Sequence, residues 1–347
     1  MSVELFIDLG AIGQNWRDLS ARHPGGPVAA VVKADAYGLG AARVAPYLHA
    51  QGCRHFFVAH LAEALLLREH LPDSMLAVLN GLWPGDAETY VEHDITPVLG
   101  SIAEIDSWAG RAPAILHVDT GMNRLGLGRA ELAEMTPARR HGSWRYIMTH
   151  LVSAETPDQA VSLAQAARFA AACVQLPPAP RSLANSSGIF LGPDFASALA
   201  RPGAALWGVN PTPGRPNPLR PVVTLRARIV QLRVVRVGET VGYNGTWEAP
   251  DTRRIATVSV GYADGYPRAL SNHGAASFDG RVVPLVGRVS MDLTTFDVTD
   301  TTAAAGHWLE LIGPHMPVDE VARRAGTNGY EILTQLGRRY SRIYNGA

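Results

Sequence analysis

Across residues 28–208, short apolar runs recur between stretches of helical character, and this alternation limits the fold more than any other feature of the chain. The runs fall at 28–33, 55–59, 75–79, 95–99, 114–118, 146–150, 182–185 and 204–208. Between them, 41–50, 61–69, 102–108 and 158–174 read as helices. The last of these has a clean start, with Thr156 as N-cap and Pro157 at the first helical position. Strands alternating with helices make an α/β protein, and a set of eight suggests a (β/α)8 barrel. A doubly wound sheet shows the same alternation, so on pattern alone both architectures stay open.

The alternation stops at 209–221, where five prolines forbid a helix and favour extended or turn backbone. Beyond it, 222–235, 254–260, 281–285, 293–298 and 308–311 read as strands divided by Gly, Asp, Asn or Pro turns, closed by a short helix at 318–325. The expected division is a barrel over residues 1–218 and a mainly β domain over 219–347. Residues 5–8 are apolar and free of proline, so residues 1–10 are candidates to join the second domain.

Composition narrows the function classes. Lys and Arg total 31, Asp and Glu total 31, and 47% of the 347 residues are hydrophobic. A large core is available, and no net field favours nucleic acid or an anionic membrane. Cys53 and Cys173 sit in apolar surroundings and read as buried inert thiols rather than a disulfide framework. The opening residues lack the basic and apolar regions of a signal peptide, and no uninterrupted apolar segment is long enough to span a bilayer. A soluble cytoplasmic protein is expected. The histidines are scattered without metal-ligand spacing, so no metal site is expected either.

The candidate chemistry lies where apolar runs end. Residues 28–32 lead into Lys33, followed at once by Asp35, Tyr37, Gly38 and Gly40. A buried strand that delivers an amine to the rim of a site fits this order, since a carbonyl partner would turn a costly buried lysine into a Schiff base. The bland alternative is a surface lysine after an edge strand. Asp119, His150 and Asn185 also stand at or beyond run ends, which form the catalytic face of a barrel. His150 could equally be a satisfied core histidine. The loop 119–126 contains Arg124, which could clamp a carboxylate or merely sit exposed in a turn. In the second half, 261–267, 287–292 and 329–332 are glycine-flanked polar islands carrying Tyr262, Met291, Asp292 and Tyr330.

Taken in order, the lysine motif at 31–40, the loop at 119–126, the motif at 261–265 and the Met291–Asp292 pair resemble the alanine racemase family over nearly the whole chain. The resemblance implies a barrel followed by a β domain, in a head-to-tail homodimer whose sites are each completed by the other subunit. It implies interconversion of L-alanine and D-alanine by a two-base mechanism on a pyridoxal 5′-phosphate aldimine. By matching positions, Lys33 would hold the cofactor and act as one catalytic base, and Tyr262 of the opposite subunit would be the other. Tyr37, Ser186, Gly203, Ala204 and Tyr330 would bind the phosphate, and Arg201 would meet the pyridine nitrogen. His150 with Arg201 would support Tyr262. Arg124 and the backbone at Met291 would bind the substrate carboxylate, with Asp292 and Asn185 in support.

One position departs from the family pattern. Many members carry, two residues before the loop aspartate, a carbamylated lysine that orients the arginine, whereas this chain has His117. A neutral imidazole cannot supply that negative charge. Arg124 is then held otherwise, with Asn123 a candidate, or binds carboxylate more weakly, and activity is expected to be independent of bicarbonate. Competing functions are a decarboxylase or larger-substrate racemase of the same architecture and a non-enzymatic cofactor binder. A decarboxylase would carry a second-domain cysteine, which this chain lacks, whereas racemisation of larger amino acids stays open; the binder would need no second domain carrying Tyr262, and the bland third reading is a soluble two-domain barrel protein that never uses Lys33.

Overall fold

The computed structural model describes residues 2–136, 139 and 142–346. Strand β1 (Val3–Asp8) leads directly into α1 (Leu9–Arg22), whose first turn is capped by Asp8 Oδ1 accepting from the Ala11 amide at 2.8 Å. The chain then lays down β2 (Ala30–Val31), β3 (His55–Val58), β4 (Met75–Val78), β5 (Ile95–Leu99), β6 (Ala114–His117), β7 (Trp144–Met148) and β8 (Arg181–Ser182). These seven pair in sequence order as one curled parallel sheet. The intervening helices are α2 (Ala41–Ala50), α3 (Leu61–Arg68), α4 (Ala87–Glu92), α5 (Ile102–Trp108), α6 (Arg129–Ala133) and α7 (Ala160–Gln175).

Both faces of this sheet are dry, which is why its strands read as unbroken apolar runs rather than alternating ones. One set of alternate residues, Ala29, Val31, Phe57, Ala77, Val98, Ile115 and Met148, packs into a core of its own. The other set, including Val28, Ala30, Val32, Phe56, Val58, Leu76 and Leu116, joins the core beneath the helices.

Two expectations are corrected. The run 204–208 is not a strand: Ala204–Trp207 form a 3-10 helix, ended by Gly208 at a φ of +75°. The extended backbone lies just upstream, where the Ala29 amide donates to Ala200 O, the Val31 amide to Pro202 O and the Arg201 amide to Ala184 O. Residues 200–202 thus bond to β2 on one side and to the chain beyond β8 on the other. Helix α7 also starts three residues later than Thr156 and Pro157 predict. The Thr156 hydroxyl donates to Ser153 O at 2.8 Å, and Asp158 Oδ1 instead accepts from the Ala160 amide at 2.9 Å.

The later strands are β9 (Val223–Val235), β10 (Thr240–Val241), β11 (Trp247–Glu248), β12 (Arg253–Val258), β13 (Ala275–Phe278), β14 (Arg281–Pro284), β15 (Thr294–Asp297), β16 (Trp308–Ile312) and β17 (Ser341–Asn345). Helices α8 (Val318–Ala325) and α9 (Gly329–Thr334) precede β17. The mainly β sheet runs β14-β13-β16-β9-β1-β17, and β12 joins the far half of the long β9. The N-terminal strand lies in this sheet: β1 pairs antiparallel with β9 and parallel with β17. Burial alternates along β9, with Val223, Leu225, Ala227 and Ile229 inside, as a sheet with one wet face requires. Fully buried Asn15 on α1 ties the halves together, bonding Leu206 O, Arg220 O and the Arg220 amide. Among the described residues, no helix is long and apolar enough to cross a membrane, and Cys53 and Cys173 are free and buried.

Candidate active site

A cavity of about 690 Å³ opens where the parallel strands end. Its lining brings together Lys33, Tyr37, Arg124, His150, Asn185, Ser186, Arg201, Gly203, Ala204 and Tyr330, ten residues singled out from the sequence. Lys33 arrives by an unusual backbone. Beyond β2, Ala34, Asp35, Ala36 and Tyr37 have φ of 52°, 54°, 53° and 56°, a turn of left-handed helix without a glycine. Such geometry costs roughly 1–2 kcal/mol per residue for L-amino acids, so its neighbours must impose it. The Ala36 amide bonds Val32 O, the Gly38 amide bonds Ala34 O, and Asp35 Oδ1 accepts from the Ala41 amide at 2.7 Å. The C-terminal region braces the exit, with Arg342 donating to Gly38 O and Tyr344 to Leu39 O. Gly38 is required there, since a Cβ would meet Leu333 O at 2.6 Å.

Burial in the cavity pushes its bases toward their neutral forms, while two guanidinium groups lie in it without a carboxylate partner among the described residues. Burial holds the Lys33 amine below its ordinary pKa; Arg124 reinforces this and Glu63 opposes it. Arg201 is buried, donating to Ser182 Oγ and Thr149 O, and burial lowers it only to about 10, so it stays charged. No carboxylate among the described residues pairs with Arg201 or Arg124, in contrast to Arg139 with Asp106. Desolvation, aided by Arg201, pushes His117 down to about 4 and His150 to about 3, leaving both imidazoles neutral at pH 7.

A second group of contacts forms a polar cradle. Ser186 Oγ accepts from the Gly203 and Ala205 amides, both at 3.1 Å, which leaves its O–H as a donor. A Cβ on Gly203 would lie 2.4 Å from the Tyr37 hydroxyl, so glycine there admits that hydroxyl. Asn185 Oδ1 is committed to the Gly188 amide at 2.9 Å, a local brace.

Arg124 is carried by a loop that Asp119 organises: Oδ1 accepts from the Gly121 and Met122 amides and Oδ2 from the Asn123 amide. Helix α7 clamps the base of the same loop. Fully buried Gln165 donates to Thr120 Oγ1 and His150 O and accepts from the Val152 amide, while Arg168 donates to Thr120 O. The loop carrying Arg124 is therefore held by Asp119 and α7 through its backbone.

Tyr262, Met291 and Asp292 do not line the cavity. They meet on the second sheet instead, where the Tyr262 amide donates to Ser290 O and the Ala263 amide to Met291 O, each at 3.0 Å. Asp264 accepts from the Gly261 amide, and Arg339 bridges Asp264 to Asp292. Tyr262 and Met291 are 43% and 54% exposed, so this is a patch open to solvent on the single chain.

The alanine racemase N-terminal domain model matches residues 7–211 and the alanine racemase C-terminal domain model matches residues 222–344. The chain belongs to the alanine racemase family. An alanine racemase of Acidiphilium cryptum is 55% identical, with 98% of each chain covered. The crystal structure of alanine racemase from Bartonella henselae with covalently bound pyridoxal phosphate superposes with a TM-score of 0.96 at 42% identity, covering 99% of this chain and 100% of that one. The biosynthetic alanine racemase from Pseudomonas aeruginosa has a TM-score of 0.92 at 33% identity, with 99% of each covered.

Sequence reasoning missed several lining residues. Asn80 and Glu155 lie in loops with no distinctive local pattern. Glu63 does not line the cavity but accepts from the Ala34 amide beside Lys33; it reads in the sequence only as part of a helix, with its place three residues after His60, a capping pattern, as the one available signal.

Proposed function

We propose that this protein interconverts L-alanine and D-alanine with pyridoxal 5′-phosphate bound at Lys33. The observation that carries the reading is the meeting, in one cavity of a chain that matches both domains of the family, of a desolvated lysine, a buried arginine with no carboxylate partner among the described residues and a hydroxyl-rich cradle. These groups fit the cofactor. Tyr37, Ser186, Gly203, Ala204 and Tyr330 offer hydroxyl and backbone donors for a phosphate. Arg201 has guanidinium N–H groups beyond the two it uses internally, suited to a ring nitrogen. When bound, the cofactor supplies an electron sink that acidifies the α-proton of an amino acid.

The residues of the chain do the rest. Lys33, whose amine burial shifts toward the neutral form, would hold the cofactor, and its amine would take or return a proton on one face of the α-carbon. Inversion needs a second proton carrier on the opposite face, and Tyr262 is assigned that role. Free tyrosine has a pKa near 10, so its base form needs a cationic or hydrogen-bonding neighbour, which Arg201 and His150 would provide. Arg124 and the backbone at Met291 would hold the carboxylate, with Asp292 and Asn185 in support. Arg201 donates a hydrogen bond without giving up its proton, which limits charge withdrawal and disfavours transamination.

This assignment requires Tyr262 to reach a cavity that it does not line in its own chain, which supports a head-to-tail homodimer with sites shared between subunits. It goes with a closed (β/α)8 barrel in which residues 200–202 act as the eighth stave, a domain division at 218/219 with residues 1–10 in the second domain, and a cytoplasmic location consistent with free buried thiols.

The deciding test is chiral, mass-resolved analysis of L-alanine incubated with protein and cofactor in D2O. Deuterated D-alanine is the expected product. Deuterated L-alanine alone would remove Tyr262 from the second face, and no exchange with alanine would overturn the reading.

A further inference from the structure

The Glu63 carboxylate serves two strands at once. It stands at the third position of α3, and Oε2 accepts from the Ala59 and His60 amides at 2.8 and 3.1 Å, as an ordinary capping carboxylate does. Oε1 faces the other way and accepts from the Ala34 amide at 2.6 Å. Ala34 follows Lys33 and begins the left-handed turn. We propose that Glu63 is a positioning residue for Lys33: by pinning the Ala34 amide it holds the left-handed turn and so sets how the Lys33 amine enters the cavity. This rests on the reading that Lys33 carries the cofactor.

The chemistry is specific to glutamate. Three amide N–H groups converge on two oxygens, and a carboxylate accepts on both. A glutamine has one oxygen, so its NH2 would face either Ala34 or the Ala59–His60 pair, donor against donor. An aspartate is one methylene short of joining the two strands. Charge acts in the same direction as geometry. The Lys33 cation is disfavoured by burial and by Arg124 and favoured by Glu63.

The fold contains its own control. Glu104, at the third position of α5, repeats the device one strand pair away: Oε2 accepts from the Gly100 amide at 2.7 Å and Oε1 from the Leu82 amide at 3.0 Å. Leu82 does not line the cavity. If both glutamates merely cap helices and tie loops, their substitutions behave alike.

The experiment compares Glu63→Gln and Glu104→Gln in the full chain. For Glu63→Gln, kcat is expected to fall at least tenfold with KM for alanine changed less than threefold. The pH midpoint of the visible absorbance of the cofactor-loaded protein should move down, because the cation at Lys33 loses the carboxylate that favours it. Hydrogen exchange in cofactor-free protein should rise at least tenfold over residues 33–40. Glu104→Gln is expected within twofold of the parent in every readout. Matching behaviour of the two variants, or unchanged exchange over 33–40, overturns the proposal. If borohydride leaves no cofactor mass on the parent's Lys33 peptide, the reading of function fails, and the exchange comparison still decides whether Glu63 holds the turn.

Discussion

The cavity around Lys33 and the surface patch around Tyr262 are both glycine-flanked polar islands beyond strand ends, yet their surroundings are opposite. In the cavity, burial keeps two imidazoles neutral, depresses a lysine and isolates a buried arginine. On the patch, Tyr262 and Met291 face solvent, and the order comes from backbone hydrogen bonds and the Arg339 bridge. The contrast teaches that burial gathers one set of site candidates into a dry cavity and leaves the other on an open surface. On the proposed assignment, the second face of the α-carbon is served by the partner subunit.

The hardest blow to that comparison is Lys33→Ala. Activity should fall at least about 10³-fold, and borohydride should no longer fix cofactor mass to the peptide. Tyr262→Phe breaks only the patch. The protein should stay yellow while conversion in at least one direction drops by roughly 10²–10⁴. Mixing the two inactive variants sharpens the point, because random exchange in a two-fold dimer puts one intact site in half of the dimers, about a quarter of all sites. Recovery near that level supports a shared site. No recovery, with exchange demonstrated, means each chain works alone.

A smaller effect tests the cavity's dryness. Unfolded imidazoles titrate near 6.5, while His117 and His150 are held down to about 4 and 3. Below pH 6.5 the unfolded chain therefore binds more protons than the folded one, and folding stability is lost as pH falls toward 4, by on the order of a few kcal/mol. Denaturant titrations at pH 7.5, 6 and 5 measure this, and His117→Gln should flatten the slope. An unchanged midpoint across that range would mean the imidazoles are solvated. The smallest expected effect is none at all: bicarbonate added to carbonate-depleted protein should change the rate less than twofold. Asp119 and α7 hold the loop that carries Arg124, and neutral His117 offers no amine at the family's lysine position.

Much of this was legible beforehand because parallel strands buried on both faces are written as unbroken apolar runs, and β9 as an alternating one. The N-terminal strand was recognisable as a short apolar segment outside the alternation. The eighth run misled because 204–208 is as apolar as a strand, and only the bonds of residues 200–202 to both neighbours reveal where the extended backbone lies. Thr156 misled as well, its hydroxyl having a competing local acceptor in Ser153 O.

The residue types at the site, and the order in which their motifs follow one another, were written in the chain, since amines, guanidinium groups and hydroxyls bring their chemistry wherever they sit. The left-handed path through residues 34–37 was not. Two alanines, an aspartate and a tyrosine have no local reason to adopt it, and it stands because Glu63 binds its first amide, Asp35 ties it forward to the Ala41 amide, and Arg342 and Tyr344 brace the exit at Gly38 and Leu39. Protonation states were likewise decided in three dimensions. A lysine or histidine in sequence has its solution pKa, and only packing removes the water that would keep it there.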